Sequence, residues 1–223
     1  MKHYRILSAL LLYPEAELVA AVPELTAELD AQMGAELQPL LAHLAGQDLI
    51  TLQQYYVQTF DRTPSHSLHL FEHIHGESRD RGQAMVDLME EYKKHGLEMH
   101  GDELPDFVPL FLEFLGQLDS ENTAAPLLGD AVHVLAHIGA KLQANDNVYA
   151  CVFDVLERLS PVRPEVLSEP PIKDMDEALE TFGPGVDGVE PLLKPGLGQG
   201  GAQPINFYPQ GAHQRNPRAA RAA

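Results

Sequence analysis

The sequence contains no tryptophan and one cysteine, Cys151, in 223 residues. A single thiol excludes an internal disulfide framework and any metal site built on several cysteines. Aromatic residues are few, at 7%, and nothing alternates with a period of two over a useful length, so no sheet is expected. Long apolar runs are missing as well. The stretch Ile6 to Leu12 is too short for a membrane span, and no small-residue cleavage site follows it. No stable membrane insertion and a cytoplasmic location are therefore expected. Cations are scarce: residues 1–160 hold 9 Lys/Arg against 25 Asp/Glu, within a formal net charge of −18. Such a body repels phosphate backbones, which argues against nucleic acid as a partner, and favours a basic partner in a salt-dependent way.

What the chain does have is Leu and Ala at helical spacing. His3 to Leu12 reads as a short apolar helix stopped by Tyr13-Pro14. Glu15 to Gln32 carries Leu18, Val22, Leu25 and Leu29 on one face, with a kink or break expected at Pro23. Glu36 to Leu44 gives another short helix. Asp48 is suited to cap the next, whose Leu49, Leu52, Tyr56 and Phe60 follow one stripe up to Asp61. Ser65 to His75 has room for one or two helical turns. Arg79 to His95 is the clearest helix, closed by Lys93, Lys94 and Gly96. Asp106 stands where it could cap a helix with Pro109 at its third position. That helix, with Phe107, Leu110, Phe111, Phe114 and Leu115, is apolar nearly all round and should be central. Leu128 to Leu142 and Val148 to Leu159 supply two more stripes. The pattern predicts an all-α protein, a single helical bundle of about seven to nine helices over residues 1–160. After Pro161 the composition changes: residues 161–223 hold 10 of the 17 prolines and 8 of the 17 glycines. That predicts a partly helical extension to about residue 180 and a mobile Pro/Gly-rich C-terminal tail.

Several groupings carry possible chemistry. His69-Leu70-Phe71-Glu72-His73 has the H-x-x-E-H spacing of inverted zinc peptidases, in which two histidines bind zinc and a glutamate activates water. The competing reading is a polar helix face opposite Leu70, Phe71 and Ile74. His133 and His137 also stand four apart, in line with Asp130 and Lys141, on what reads as the solvent side of their helix. Cys151 falls in an apolar stripe and reads as an inert buried thiol. No G-x-S-x-G, P-loop or dinucleotide glycine pattern is present. Asp61-Arg62 and Glu77-Ser78-Arg79-Asp80-Arg81-Gly82 pack charges of both signs. They fit either an ion-pair network fixing a loop or the floor of a groove that meets a basic peptide, with Tyr56 and Phe60 as apolar anchors. Periodicity does not separate the two.

Three blocks in order, Tyr56 to Arg62, Ser67 to Met85 and Leu104 to Leu115, closely resemble the NarJ-type assembly chaperones of respiratory nitrate reductase, a branch of the redox-enzyme maturation chaperones. The resemblance covers about residues 3–160. It implies a non-catalytic helical chaperone with no cofactor of its own. Such a chaperone binds the N-terminal segment of the apo catalytic (alpha) subunit and keeps it competent for molybdenum cofactor and iron–sulfur insertion before membrane docking. Molybdenum cofactor biosynthesis proteins are candidate further partners, and another molybdoenzyme is an alternative client. The wider superfamily carries a Glu-Pro-x-Asp-His motif; here Leu104-Pro105-Asp106-Phe107 keeps Pro and Asp but has Phe107 in place of the histidine. The expected groove or groove-supporting residues are Tyr56, Phe60, Asp61, Arg62, His75, Glu77, Arg79, Asp80, Arg81 and Asp106. On this reading Phe60→Ala or Asp80→Ala weakens peptide binding more than stability, and protonation of the histidine cluster near pH 6 (a value set by ordinary imidazole titration) alters affinity for a basic peptide.

Overall fold

Leucine periodicity becomes ten α-helices among the described residues: α1 (Lys2–Leu10), α2 (Ala16–Ala27), α3 (Ala31–Glu36), α4 (Gln38–Gly46), α5 (Leu49–Tyr56), α6 (Glu72–His75), α7 (Arg79–Lys94), α8 (Val108–Gln117), α9 (Glu121–Ala144) and α10 (Ala150–Leu159). Eight of them have seven or more residues. This computed structural model describes residues 1–75, 79–99, 101 and 103–167, all within the compact unit Met1–Lys173. The expected tail lies outside the described residues from position 168 onward. The described residues contain no strand, only an isolated antiparallel bridge between His69 and Phe107. None of their helices is long and apolar enough to cross a membrane.

The apolar α8 is the centre, as its composition implies. Val108, Phe111, Leu112, Phe114 and Leu115 are all at most 4% exposed. α1 lies along it through Tyr4, Ile6, Leu7 and Leu10, and Ser8 Oγ donates to the Pro109 carbonyl (2.7 Å). Removing a side chain such as Leu7 or Leu112 from water contributes about 1.5–3 kcal/mol. α9 and α10 form the second close pair. Gly139 of α9 makes their approach possible, because a Cβ there would stand 2.8 Å from Phe153 Cβ.

Three local expectations need correction. The helix after Glu15 passes through Pro23 and breaks at Asp30, whose carboxylate caps α3 by accepting the Met33 N–H (2.8 Å). Cap chemistry, rather than the proline, sets the division. Asp48 does cap α5, accepting the Thr51 N–H at 3.1 Å. Asp106 does not cap α8: Phe107 occupies the cap position, Pro109 stands second, and the Asp106 side chain turns inward. Finally, the α5 stripe does not run on as α-helix to Phe60. Val57–Asp61 forms a π-helical turn closed by Arg62 N–H on the Val57 carbonyl (3.0 Å). The wider turn buries both Thr59 and Phe60 and leaves Asp61 and Arg62 facing water.

Candidate functional site

The segment after the π turn is held to the loop before α8. Leu70 N–H donates to the Asp106 carbonyl (3.0 Å) and Val108 N–H to the Leu68 carbonyl (2.8 Å). Between them the Asp106 carboxylate, fully buried, accepts the Phe71 N–H (3.0 Å) and faces His69 Nδ1 (3.4 Å). Burial works against the charged form of Asp106. The His69 hydrogen bond, the Phe71 N–H and the nearby charges of His69 and Arg81 outweigh it and hold the carboxyl below its ordinary range. The same bond raises His69 against the opposing effect of its burial. A polar chain continues outward: Ser67 Oγ accepts the His69 N–H (3.2 Å) and donates to Glu72 Oε2, and Arg81 Nη2 donates to Glu72 Oε1 (2.9 Å). Arg81 Nε is buried without an acceptor. Tyr92 OH of α7 donates to the Pro105 carbonyl (2.7 Å), tying α7 to the same loop.

These bonds consume the H-x-x-E-H residues. His69 precedes α6 instead of lying on it, so the i, i+4 spacing to His73 does not put both rings on one helical face. His69 is turned to Asp106, Glu72 to Ser67 and Arg81, and His73 Nε2–H donates to the Ser67 carbonyl (2.8 Å). Among the described residues no three His, Cys, Asp or Glu side chains are grouped to hold a metal ion. The histidines also differ in sign. Burial, aided by the imidazoles of His137 and His66, lowers His73, whereas His69 is raised. The cluster therefore does not titrate as a unit. His137 packs against His73 (5.7 Å) and His133 Nδ1 accepts the Glu165 N–H (2.9 Å), so the supposed solvent line of α9 is half covered. The Cys151 thiol is half-buried, and burial pushes it up to about 11.

The other expected residues fall in two places. Tyr56 and Phe60 are core aromatics, 5% and 7% exposed, packed at 4.9 Å on each other; Phe60 also meets Tyr149 (4.9 Å), and Tyr56 OH donates to the Leu11 carbonyl (3.0 Å). They support a surface and do not form one. Asp61 and Arg62 are exposed beside them, and Arg62 lines an open trough of ≈ 460 Å³ with Tyr13, Ile50, Val57, Gln54 and Gln58. At the second place stand Asp106, Arg81, the exposed Asp80, and His75 at the end of α6 with its ring against Phe71 (5.9 Å). Glu77 and the Arg79 side chain lie outside the described residues. Tyr13 and Ile50 were not singled out from sequence. Their signal is an apolar residue out of phase with the buried stripe, at 42% and 66% exposure.

His66 fastens the loop to the far end of α9: its Nδ1–H donates to the Thr59 carbonyl (3.0 Å) and its Nε2 accepts from the Asn145 amide (2.9 Å). Asn147 adds a bond to Thr59 Oγ1 (2.8 Å). Neither asparagine stands out in the sequence, because each acts across the fold.

Comparison with known proteins adds to this geometry. Residues 26–154 match the family model described as nitrate reductase delta subunit. The chain is 42% identical over 165 residues, covering 70% of it and 68% of the relative, to the nitrate reductase molybdenum cofactor assembly chaperone NarJ of Escherichia coli K12. It is 29% identical over 157 residues (69% of the chain, 85% of the relative) to a probable chaperone of the same description from Bacillus subtilis. A crystal structure of a putative redox enzyme maturation protein from Archaeoglobus fulgidus superposes with a TM-score of 0.54 at 20% identity, covering 70% of this chain and 91% of that one; it shares the fold.

Proposed function

We propose, from the premise that this chain belongs to the nitrate reductase delta subunit family, that it is an assembly chaperone for a nitrate reductase. It works on the cytoplasmic side of the membrane. It binds the N-terminal segment of the apo catalytic subunit and keeps that subunit open to molybdenum cofactor and iron–sulfur insertion until membrane docking. The helical body of residues 1–160 carries this role, and 161–223 is an appendage to it. The chain's own contribution is recognition and timing; the cofactor is its client's cargo.

One observation carries the reading: 42% identity over 165 residues with a protein named as a nitrate reductase molybdenum cofactor assembly chaperone. The fold supports it in a specific way. Residues Leu68 to Phe71 of one family-like block are bonded to Asp106 and Val108 of another, which holds the two blocks together beside α7. The acidic body suits an amphipathic client segment with cationic flanks. Two surfaces are available for its apolar face, the Tyr13–Ile50–Val57 trough and the outer side of α7. The test is complementation. In cells lacking their own nitrate reductase chaperone, supplying this chain restores molybdenum to the purified reductase and restores nitrate reduction. Unrestored molybdenum content with the chain well expressed contradicts the reading.

A further inference from the structure

α7 is a sixteen-residue helix that the core only half accepts. Of its described side chains only Tyr92 is buried, at 3%; Leu88 packs on the core from a half-buried position. Met85 and Met89, one turn apart, are half-buried and stand outside the packed core, and Val86 beside them is 41% exposed. Continuing round the helix from Val86 come Glu90 and Asp87, both exposed, with Asp80 exposed at the first turn. Of the two cations of this helix's second half, the exposed Lys93 lies one turn beyond Met89 and closes the C-terminal end of the same flank, and Lys94 is paired with Glu91 (2.8 Å). The neighbouring elements leave apolar groups uncovered on the same helix's borders: Ile74 (44%) on α6, which packs on α7, and Leu104 (40%) next to the Pro105 that Tyr92 holds.

Two unbranched thioethers beside an exposed Val, bordered along one side by carboxylates, make a surface that fits an apolar helix face of imperfect shape with positive charges along that side. The trough lined by Tyr13, Ile50 and Val57 offers the wrong sign, since its lining charge is the guanidinium of Arg62 and its other polar groups are neutral. We propose that the Met85–Val86–Met89 flank of α7 is the seat for the client's N-terminal segment. The segment binds as an amphipathic helix whose cationic side chains meet Asp80, Asp87 and Glu90. This assignment rests on the chaperone reading above and says where on the molecule recognition happens.

The test is titration of a fluorescent synthetic peptide, the N-terminal segment of the catalytic subunit, against the full chain and three variants. Met85→Gln with Met89→Gln keeps length and helix propensity at half-exposed positions and is expected to weaken binding by about tenfold or more. Asp87→Asn with Glu90→Gln, at exposed positions, is expected to weaken binding and flatten its salt dependence. Ile50→Gln in the trough is expected to leave affinity unchanged. Circular dichroism melts establish that each variant is folded. Wild-type affinity in the methionine double variant, or loss confined to Ile50→Gln, overturns the assignment while leaving the chaperone reading intact. A peptide that fails to bind even the unaltered chain overturns both.

Discussion

Asp106 holds two segments 35 residues apart in sequence with one carboxylate, through the Phe71 N–H and the His69 imidazole. Asp106→Asn keeps the shape but loses the charge in a fully buried position, so chemical denaturation is expected to report a loss of about 2–4 kcal/mol. The two differently perturbed histidines give opposite pH signatures. His69 is raised in the folded state, so its contribution is full below the ordinary imidazole value and fades as pH rises through the raised one. His73 is lowered, so its contribution is full above the ordinary value and fades as pH falls through the lowered one. His69→Gln is therefore expected to cost more stability at about pH 5.5 than at pH 8, and His73→Gln the reverse. Equal costs at both pH values would contradict these assignments. Phe60 is a core ring between Tyr56 and Tyr149. Phe60→Ala is expected to lose about 3–5 kcal/mol of stability, a correction to its reading as a peptide anchor. A stripe of aromatics at helical spacing is the same whether its far end meets a client or its own core.

Helices were legible wherever periodicity and caps act locally: Asp48 caps α5, and Gly96, at φ 76°, closes α7 after Lys93 and Lys94. They were illegible where a distant partner decides. Asp106 has the look of a helix cap, yet Phe71 and His69 turn its side chain the other way. The π turn at Val57–Asp61 has no sequence signal in the stripe itself; it is the means by which Thr59 reaches Asn147 while Phe60 stays in the core. The α9–α10 seam gives an element-level test. Gly139→Ala puts a methyl against Phe153 Cβ, close to a backbone that has little room to move, and is expected to lower stability by about 1–3 kcal/mol. Gly116→Ala puts a methyl against Arg5 Cγ and 3.3 Å from the Arg5 backbone nitrogen, and is expected to cost at least as much. Thermal melts of both variants check this; a Gly139→Ala protein as stable as the unaltered chain would contradict the packing described for α9 and α10.

For the molecule as a whole, the all-α bundle was legible from the missing period of two and the recurring leucines. The division of its surface into an uncharged-to-cationic trough and an α7 flank with one acidic side was not, because out-of-phase residues such as Ile50 and Val86 look like noise until the buried face is known. With a formal charge of −18, binding of the proposed basic segment is expected to be tighter at low salt and weaker when the field is screened. The proposed chaperone role depends on that encounter. Isothermal titration of the full chain with the catalytic subunit's N-terminal peptide, at about 50 and 300 mM salt, measures it directly. The expected result is saturable one-to-one binding with a negative heat-capacity change that weakens at the higher salt. Absence of saturable heat at low salt, with the chain folded, would contradict the account.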